Sequence, residues 1–230
     1  MSEQTVAGIV LIATPLLFNA GFTLLARRFD YPDILRRPTH EVLERFRAGG
    51  TVLILTWWMF ALSAVLFSAL AVLLAIAVDD ADPTVVVLGL VFGVLASLVQ
   101  FLGLIRWPFL VPYLARASEE TEPHSPRGEA IDIVFQAFNR YLGVAVGEHL
   151  GYALTGIWSL LVGFALLDSS AVAGWLGVVG VVLGPLFLLC SLEFVGRGDH
   201  AGWKLAETLT PVTYIAWSLW LLALGIALLV

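Results

Sequence analysis

The sequence predicts an all-α protein, a polytopic bundle of six transmembrane helices with the N-terminus and the C-terminus both non-cytoplasmic. Three observations predict it. Of 230 residues, 60% are hydrophobic and only 13% charged, where a soluble domain carries about a quarter charged residues. Apolar runs near the ~20 residues that a bilayer core requires recur along the chain. All 12 basic residues fall in alternate connections between those runs.

The six segments are placed at about 6–26, 51–78, 84–105, 145–167, 175–195 and 212–230. Nothing basic precedes the first run, so it reads as a retained helix rather than a cleaved signal. The second is long and can tilt. The connection 27–50 holds Arg27, Arg28, Arg36, Arg37, Arg45 and Arg47. The connection 106–144 holds Arg106, Arg116, Arg127 and Arg140, and 196–211 holds Arg197 and Lys204. Turns 79–83 and 168–174 hold none. The positive-inside bias assigns the three basic connections to the cytoplasm. Short outer turns make antiparallel hairpins of segments two and three and of segments four and five.

The inner connections carry structure of their own. Residues 40–48 read as a short helix capped by Thr39 and ended by Gly49 and Gly50. Residues 117–129 are Glu-, Pro- and Ser-rich and read as a loop. Ile131, Val134, Phe135, Phe138 and Leu142 recur at helical spacing, so 130–144 extends the fourth helix at the interface. In that helix Gly143, Gly147, Gly151, Thr155, Ser159 and Gly163 stand at every fourth position, the small-residue seam that lets membrane helices pack closely. Gly89, Gly93 and Ser97 repeat the pattern in the third, and Gly180 and Gly184 in the fifth. Trp57, Trp58, Trp107 and Trp203 are expected in the aromatic belt at the cytoplasmic boundary, and Trp175 at the other.

Polar groups at membrane depth are costly, so they mark the bundle interior. Asn19, Gln100, Arg106, Glu148, His149, Tyr152, Glu193 and Arg197 fall at a common inner-leaflet depth on four helices. Glu148, Tyr152, Thr155 and Ser159 share one face of the fourth helix, whereas His149 is turned from Glu148 by about 100°. Arg106 and Arg197 are the counter-ions expected for Glu148 and Glu193. The cluster reads equally as a structural clamp and as the lining of a pocket open to the cytoplasm.

Several chemistries find no support. The formal net charge of −6 argues against nucleic acid as a partner. The only lysine, Lys204, lies in a connection, which removes a mid-membrane Schiff base. One intramembrane histidine cannot make a bis-histidine haem site, and no HExxH, P-loop, GxGxxG or GxSxG stands in the chain. Cys190 is alone and reads as a small buried apolar residue. No cofactor and no metal is expected.

The stretches Leu55-Thr56-Trp57-Trp58, Arg106-Trp107-Pro108-Phe109, Phe138-Asn139-Arg140-Tyr141, Gly147-Glu148-His149-Leu150-Gly151-Tyr152 and Ser191-Leu192-Glu193-Phe194 carry a resemblance over almost the whole chain. It resembles the prokaryotic multi-pass membrane proteins of domain-of-unknown-function family 4386. The resemblance implies an all-helical inner-membrane protein and supplies no activity.

Three functions stay open on the sequence. The leading one is binding or transport of a small molecule or ion at the polar cluster. The second is a regulatory or assembly subunit whose inner loops meet a cytoplasmic protein or another membrane subunit, and a homo-oligomer stays open as well. The third is an intramembrane acid/base enzyme acting on a lipid or isoprenoid-like substrate through Glu148 or His149.

Overall fold

The computed structural model describes residues 2–196 and 202–230. These form seven α-helices: α1 (Glu3–Phe29), α2 (Thr39–Ala77), α3 (Pro83–Ser118), α4 (Pro126–Phe138), α5 (Gly151–Asp168), α6 (Trp175–Cys190) and α7 (Lys204–Leu229). A 3₁₀ turn, Asp33–Arg36, precedes α2, and a π-helical segment, Asn139–Leu150, joins α4 to α5 without a break. No strand occurs among the described residues.

The spanning helices close into a hoop. α1 packs on α2, α2 on α3, α3 on α5, α5 on α6, α6 on α7, and α7 returns to α1. The last contact is close: a Cβ built on Gly8 would lie 2.8 Å from the Gly225 carbonyl oxygen. Large apolar side chains face outward on every wall. Leu16, Met59, Val87, Phe109, Phe164, Val178 and Leu219 are each about half exposed or more. Water penalises such a surface and hydrocarbon does not, so the chain is an integral membrane protein.

Among the described residues five helical stretches are long and apolar enough to cross a bilayer: α1, α2, α3, α7 and the continuous run Pro126–Asp168. The remaining wall, α6, has 16 residues, or about 24 Å of helix. It stops at Cys190, short of the expected 195, because the chain turns through 191–196 and the Trp203 N–H returns to the Glu193 carbonyl at 2.7 Å. Elsewhere the helices outrun the expected spans. α2 begins at Thr39 and bends at Gly50, whose φ of 55° an L side chain rarely adopts. α3 continues through Pro108 and Pro112 to Ser118. Only 119–125 therefore remains between α3 and α4, where a longer loop was expected.

Both termini lie at one end of the hoop, beside the two tight turns. There Asp82 caps α3, accepting from the Thr84 and Val85 N–H groups at 2.8 and 3.2 Å, and the Asp82 N–H donates to Asp168 at 2.9 Å. Asp80 crosses between the turns. It accepts from the Ser169 hydroxyl, from the Ser170 N–H at 2.8 Å and from the Ser170 hydroxyl at 2.7 Å. The Ser169 bond, then the two Ser170 bonds, hold its carboxyl down at about 2.

Two apolar cores fill the hoop in sequence along its axis. One, toward the termini, gathers Leu11, Phe67, Trp158, Phe187, Trp217, Trp220 and Leu224. The other gathers Leu25, Phe29, Phe46, Trp57, Trp107, Val111 and Phe135. Trp57 and Trp107 are not belt residues. They are 0% and 1% exposed, and their rings stack at 4.4 Å. Trp58 and Trp175 do face outward, at 40% and 60%.

Candidate functional site

The junction between the two cores holds the costly polar groups. It is built on the π-helical segment, in which each N–H reaches one residue further back than in an α-helix and the turn is wider. Such turns are rare, usually single, and frequent at functional sites. Here the segment has 12 residues, Asn139–Leu150, with Glu148 and His149 near its end. Two glycines let α3 lie directly on it. A Cβ on Gly103 would stand 2.6 Å from the Cα of Gly147, and a Cβ on Gly143 would stand 2.5 Å from Nη2 of Arg106.

The space above Gly143 therefore belongs to the Arg106 guanidinium. Its Nη1 donates to the Gly103 carbonyl and its Nη2 to Oδ1 of Asn139 at 2.8 Å. The group also sits 5.3 Å from the Trp107 ring centroid, within cation–π range. Arg106 is 9% exposed and Asn139 8%. Among the described residues Arg106 makes no ion pair with Glu148 within 4 Å, and the two N–H groups that bond go to neutral oxygens.

Glu148 is partly buried, and its carboxylate accepts no hydrogen bond from any described residue. It lies within electrostatic reach of Arg106 and Glu193, and the phenols of Tyr31, Tyr152 and Tyr214 lie within reach of it. The rings form a connected wall. Tyr152 and Tyr214 meet edge to face at 5.4 Å, Tyr214 stacks on Phe18 at 5.8 Å, and Phe187 meets Tyr214 at 5.0 Å. On the other side Phe18 touches Phe60 at 4.9 Å, and Tyr31 meets Trp57 at 5.0 Å. Tyr152 and Tyr214 pack on one apolar core, Tyr31 and Phe18 on the other. Tyr31 lies in the connection after α1, where burial first and the Glu148 charge second raise its phenol well above the ordinary value. It stays a neutral hydroxyl.

His149 turns away from Glu148, as the helical rotation required. Its Nδ1 donates to the Ser191 carbonyl at 2.7 Å and ties the π-helical segment to the end of α6. Glu193, two residues on, is 9% exposed. It lies within electrostatic reach of Glu207 and Arg36, which pair with each other.

Of the expected cluster, the structure brings Arg106, Glu148, Tyr152 and Glu193 together, with His149 on the adjoining face. Gln100 stands at its edge, donating to the Thr155 hydroxyl at 3.0 Å. Asn19 is elsewhere. Its amide donates to the Pro15 carbonyl at 2.7 Å and to the Ser218 hydroxyl at 3.0 Å, fastening α1 to α7. Arg197 lies outside the described residues. Sequence reasoning missed Asn139, Tyr31 and Tyr214. The signal for Tyr214 was available, since a phenol in an apolar span is a polar group that requires a reason.

The small-residue seam of the fourth helix serves two neighbours in turn. Gly143, Gly147 and Gly151 face α3, whereas Gly163 lies on the backbone of α6 at Gly177 and Val181. Between them Ser159 accepts from the Trp217 indole at 3.1 Å. No group of three or more His, Cys, Asp or Glu that could hold a metal occurs among the described residues.

A family model described as "Domain of unknown function (DUF4386)" matches residues 6–225. The chain belongs to this family. No curated protein and no solved structure matches it. For this DUF4386 member, chemical meaning has to come from the site itself, and fold alone does not supply it.

Proposed function

We propose that this DUF4386 protein binds, and moves, a small molecule or ion at the polar layer around Glu148. The observation that carries the reading is the Glu148 carboxylate. It sits in a wide-turn helix, between two apolar cores, without a hydrogen bond from any described residue. A clamp would place it on Arg106, and Arg106 is already held by Gly103 and Asn139. Carboxylates at such depth are costly, and one that accepts no hydrogen bond points to a functional site.

In this reading residues 1–230 are one transmembrane domain of the inner membrane, with the connections 27–50, 106–144 and 196–211 in the cytoplasm. The support is that the described basic residues other than Arg106 gather at the end of the hoop opposite the termini. The layer then opens inward.

A second reading, a regulatory or assembly subunit, is favoured by one observation. At the same end a groove of about 1040 Å³ runs between the start of α2, the end of α3 and α4, lined by Arg36, His40, Arg47, Glu119 and Asp132 among others. Its mixed charge suits a cytoplasmic protein surface.

The test is Glu148→Gln beside Arg106→Ala in protein reconstituted into lipid vesicles, assayed for ligand binding and flux. Loss of binding or flux at an unchanged melting temperature is the expected result for Glu148→Gln. If both variants lower the melting temperature and leave every binding and flux signal intact, the layer is only a clamp. Loop variants in the groove that lose a captured partner while the layer stays intact would favour the second reading.

A further inference from the structure

The chemistry around Glu148 also narrows what it would hold. We infer that the ligand is a small organic cation, a protonated amine or quaternary ammonium, seated with its charge on the Glu148 carboxylate and its alkyl groups against Tyr152, Tyr214 and Tyr31. This rests on the reading of the layer as a binding site.

Three observations carry it. The first is charge. Among the described residues, Glu148, Glu193 and Glu207 face Arg106 and Arg36, and Arg36 is committed to Glu207. Arg106 directs two of its five N–H groups to Gly103 and Asn139 and lies over the Trp107 ring. His149 donates its Nδ1–H to a backbone carbonyl on the adjoining face. Among these described groups carboxylates outnumber guanidinium groups by one, a balance that favours a cation over an anion beside Glu148.

The second is the wall. Tyr152, Tyr214, Phe18 and Phe187 form a continuous group of rings with centroids 5.0–6.5 Å apart, and Tyr31 meets Trp57 at 5.0 Å on the other side. Ring faces attract cations, and cages of them select quaternary ammonium over hydrated ions. The third is the donor set. Calcium and magnesium take six or more oxygen ligands and zinc takes four ligands of His, Cys or carboxylate type, and no cluster of His, Cys, Asp or Glu capable of holding a metal occurs among the described residues. Hydrocarbon walls with one carboxylate suit a cation that brings its own apolar shell.

The experiment compares choline with 3,3-dimethylbutan-1-ol, which has the same shape without the charge, and with 3,3-dimethylbutanoate, which reverses it. Each is titrated calorimetrically into the full chain in lipid nanodiscs. Choline should bind at least about tenfold tighter than the alcohol, and the carboxylate should not bind. Glu148→Gln should weaken choline by a similar factor. Tyr214→Phe should keep the affinity and Tyr214→Leu should lose it, since the ring and not the hydroxyl makes the contact. Equal binding of alcohol and choline, or preference for the carboxylate, with either signal sensitive to Glu148→Gln, overturns the cation and leaves the site standing. If none of the three binds and Glu148→Gln changes only the melting temperature, the cation and the site fall together.

Discussion

Gly103 on α3 and Gly147 on the π-helical segment meet backbone to backbone, so close that a methyl group on Gly103 would fall 2.6 Å from the partner's Cα. Neither chain can retreat, because Arg106 one turn further along α3 is lodged over Gly143.

Gly103→Ala should therefore destabilise the fold by about 1–3 kcal/mol, the usual cost of overpacking a filled contact. Gly50→Ala, where nothing lies within 4 Å, tests backbone conformation instead. Thermal unfolding in detergent compares the two. A Gly103→Ala melting temperature equal to the native one would show that the contact is looser than described.

Among the described residues, Asn139 is the only side chain that accepts from Arg106. Asn139→Ala removes that oxygen and leaves part of a buried guanidinium unpartnered, at a cost of about 1–3 kcal/mol. Asn139→Asp supplies a charged acceptor at the same position and should recover most of the loss. Identical melting of the two variants would mean the bond carries nothing.

The Trp57–Trp107 stack anchors the second core. Trp57→Ala should lose about 3–5 kcal/mol, the range for a large aromatic cut from a filled core. Trp58→Ala, on the outward face of the same helix, should lose far less. Were Trp57 a belt residue, the two substitutions would cost alike.

Asp80 gives a pH signature at the termini end. Its carboxyl is lowered in the folded protein to about 2, by hydrogen bonds from Ser169 and Ser170. A lowered group contributes stability above its unfolded value of about 3.9, and that contribution is lost as pH falls through the folded value. Stability should decline between pH of about 4 and about 2 more steeply in the native protein than in Asp80→Asn. Parallel acid curves for the two would contradict the assignment.

The all-helical membrane bundle was largely legible in the sequence, for a physical reason, whereas the closed order of its helices was not. Hydrocarbon demands long charge-free runs, and 60% apolar composition with clustered arginines leaves few ways to divide the chain. What periodicity cannot report is the width of a turn. Glycines at 143, 147 and 151 read the same on an α-helix and on a π-helix, so the segment that carries Glu148 was not foreseen. Side-chain direction was not legible. Asn19 was expected in the layer but bonds Ser218, and Trp57 was expected in the belt but faces inward. Arg106 was matched to a carboxylate by charge, whereas the fold gave it Gly103 and Asn139 by geometry. Tyr31 follows a helix end and precedes a proline, a setting that carries no sign of burial.

The closed order of the helices gives the architecture an indifference to where the chain is cut. With α7 packed on α1 at Gly8 and Gly225, no wall of the hoop is an edge. A circular permutant that joins the two ends through a short linker and opens at the turn 79–82 would place every helix between the same two neighbours, so the barrel-like order is a property of the ring rather than of the order of synthesis.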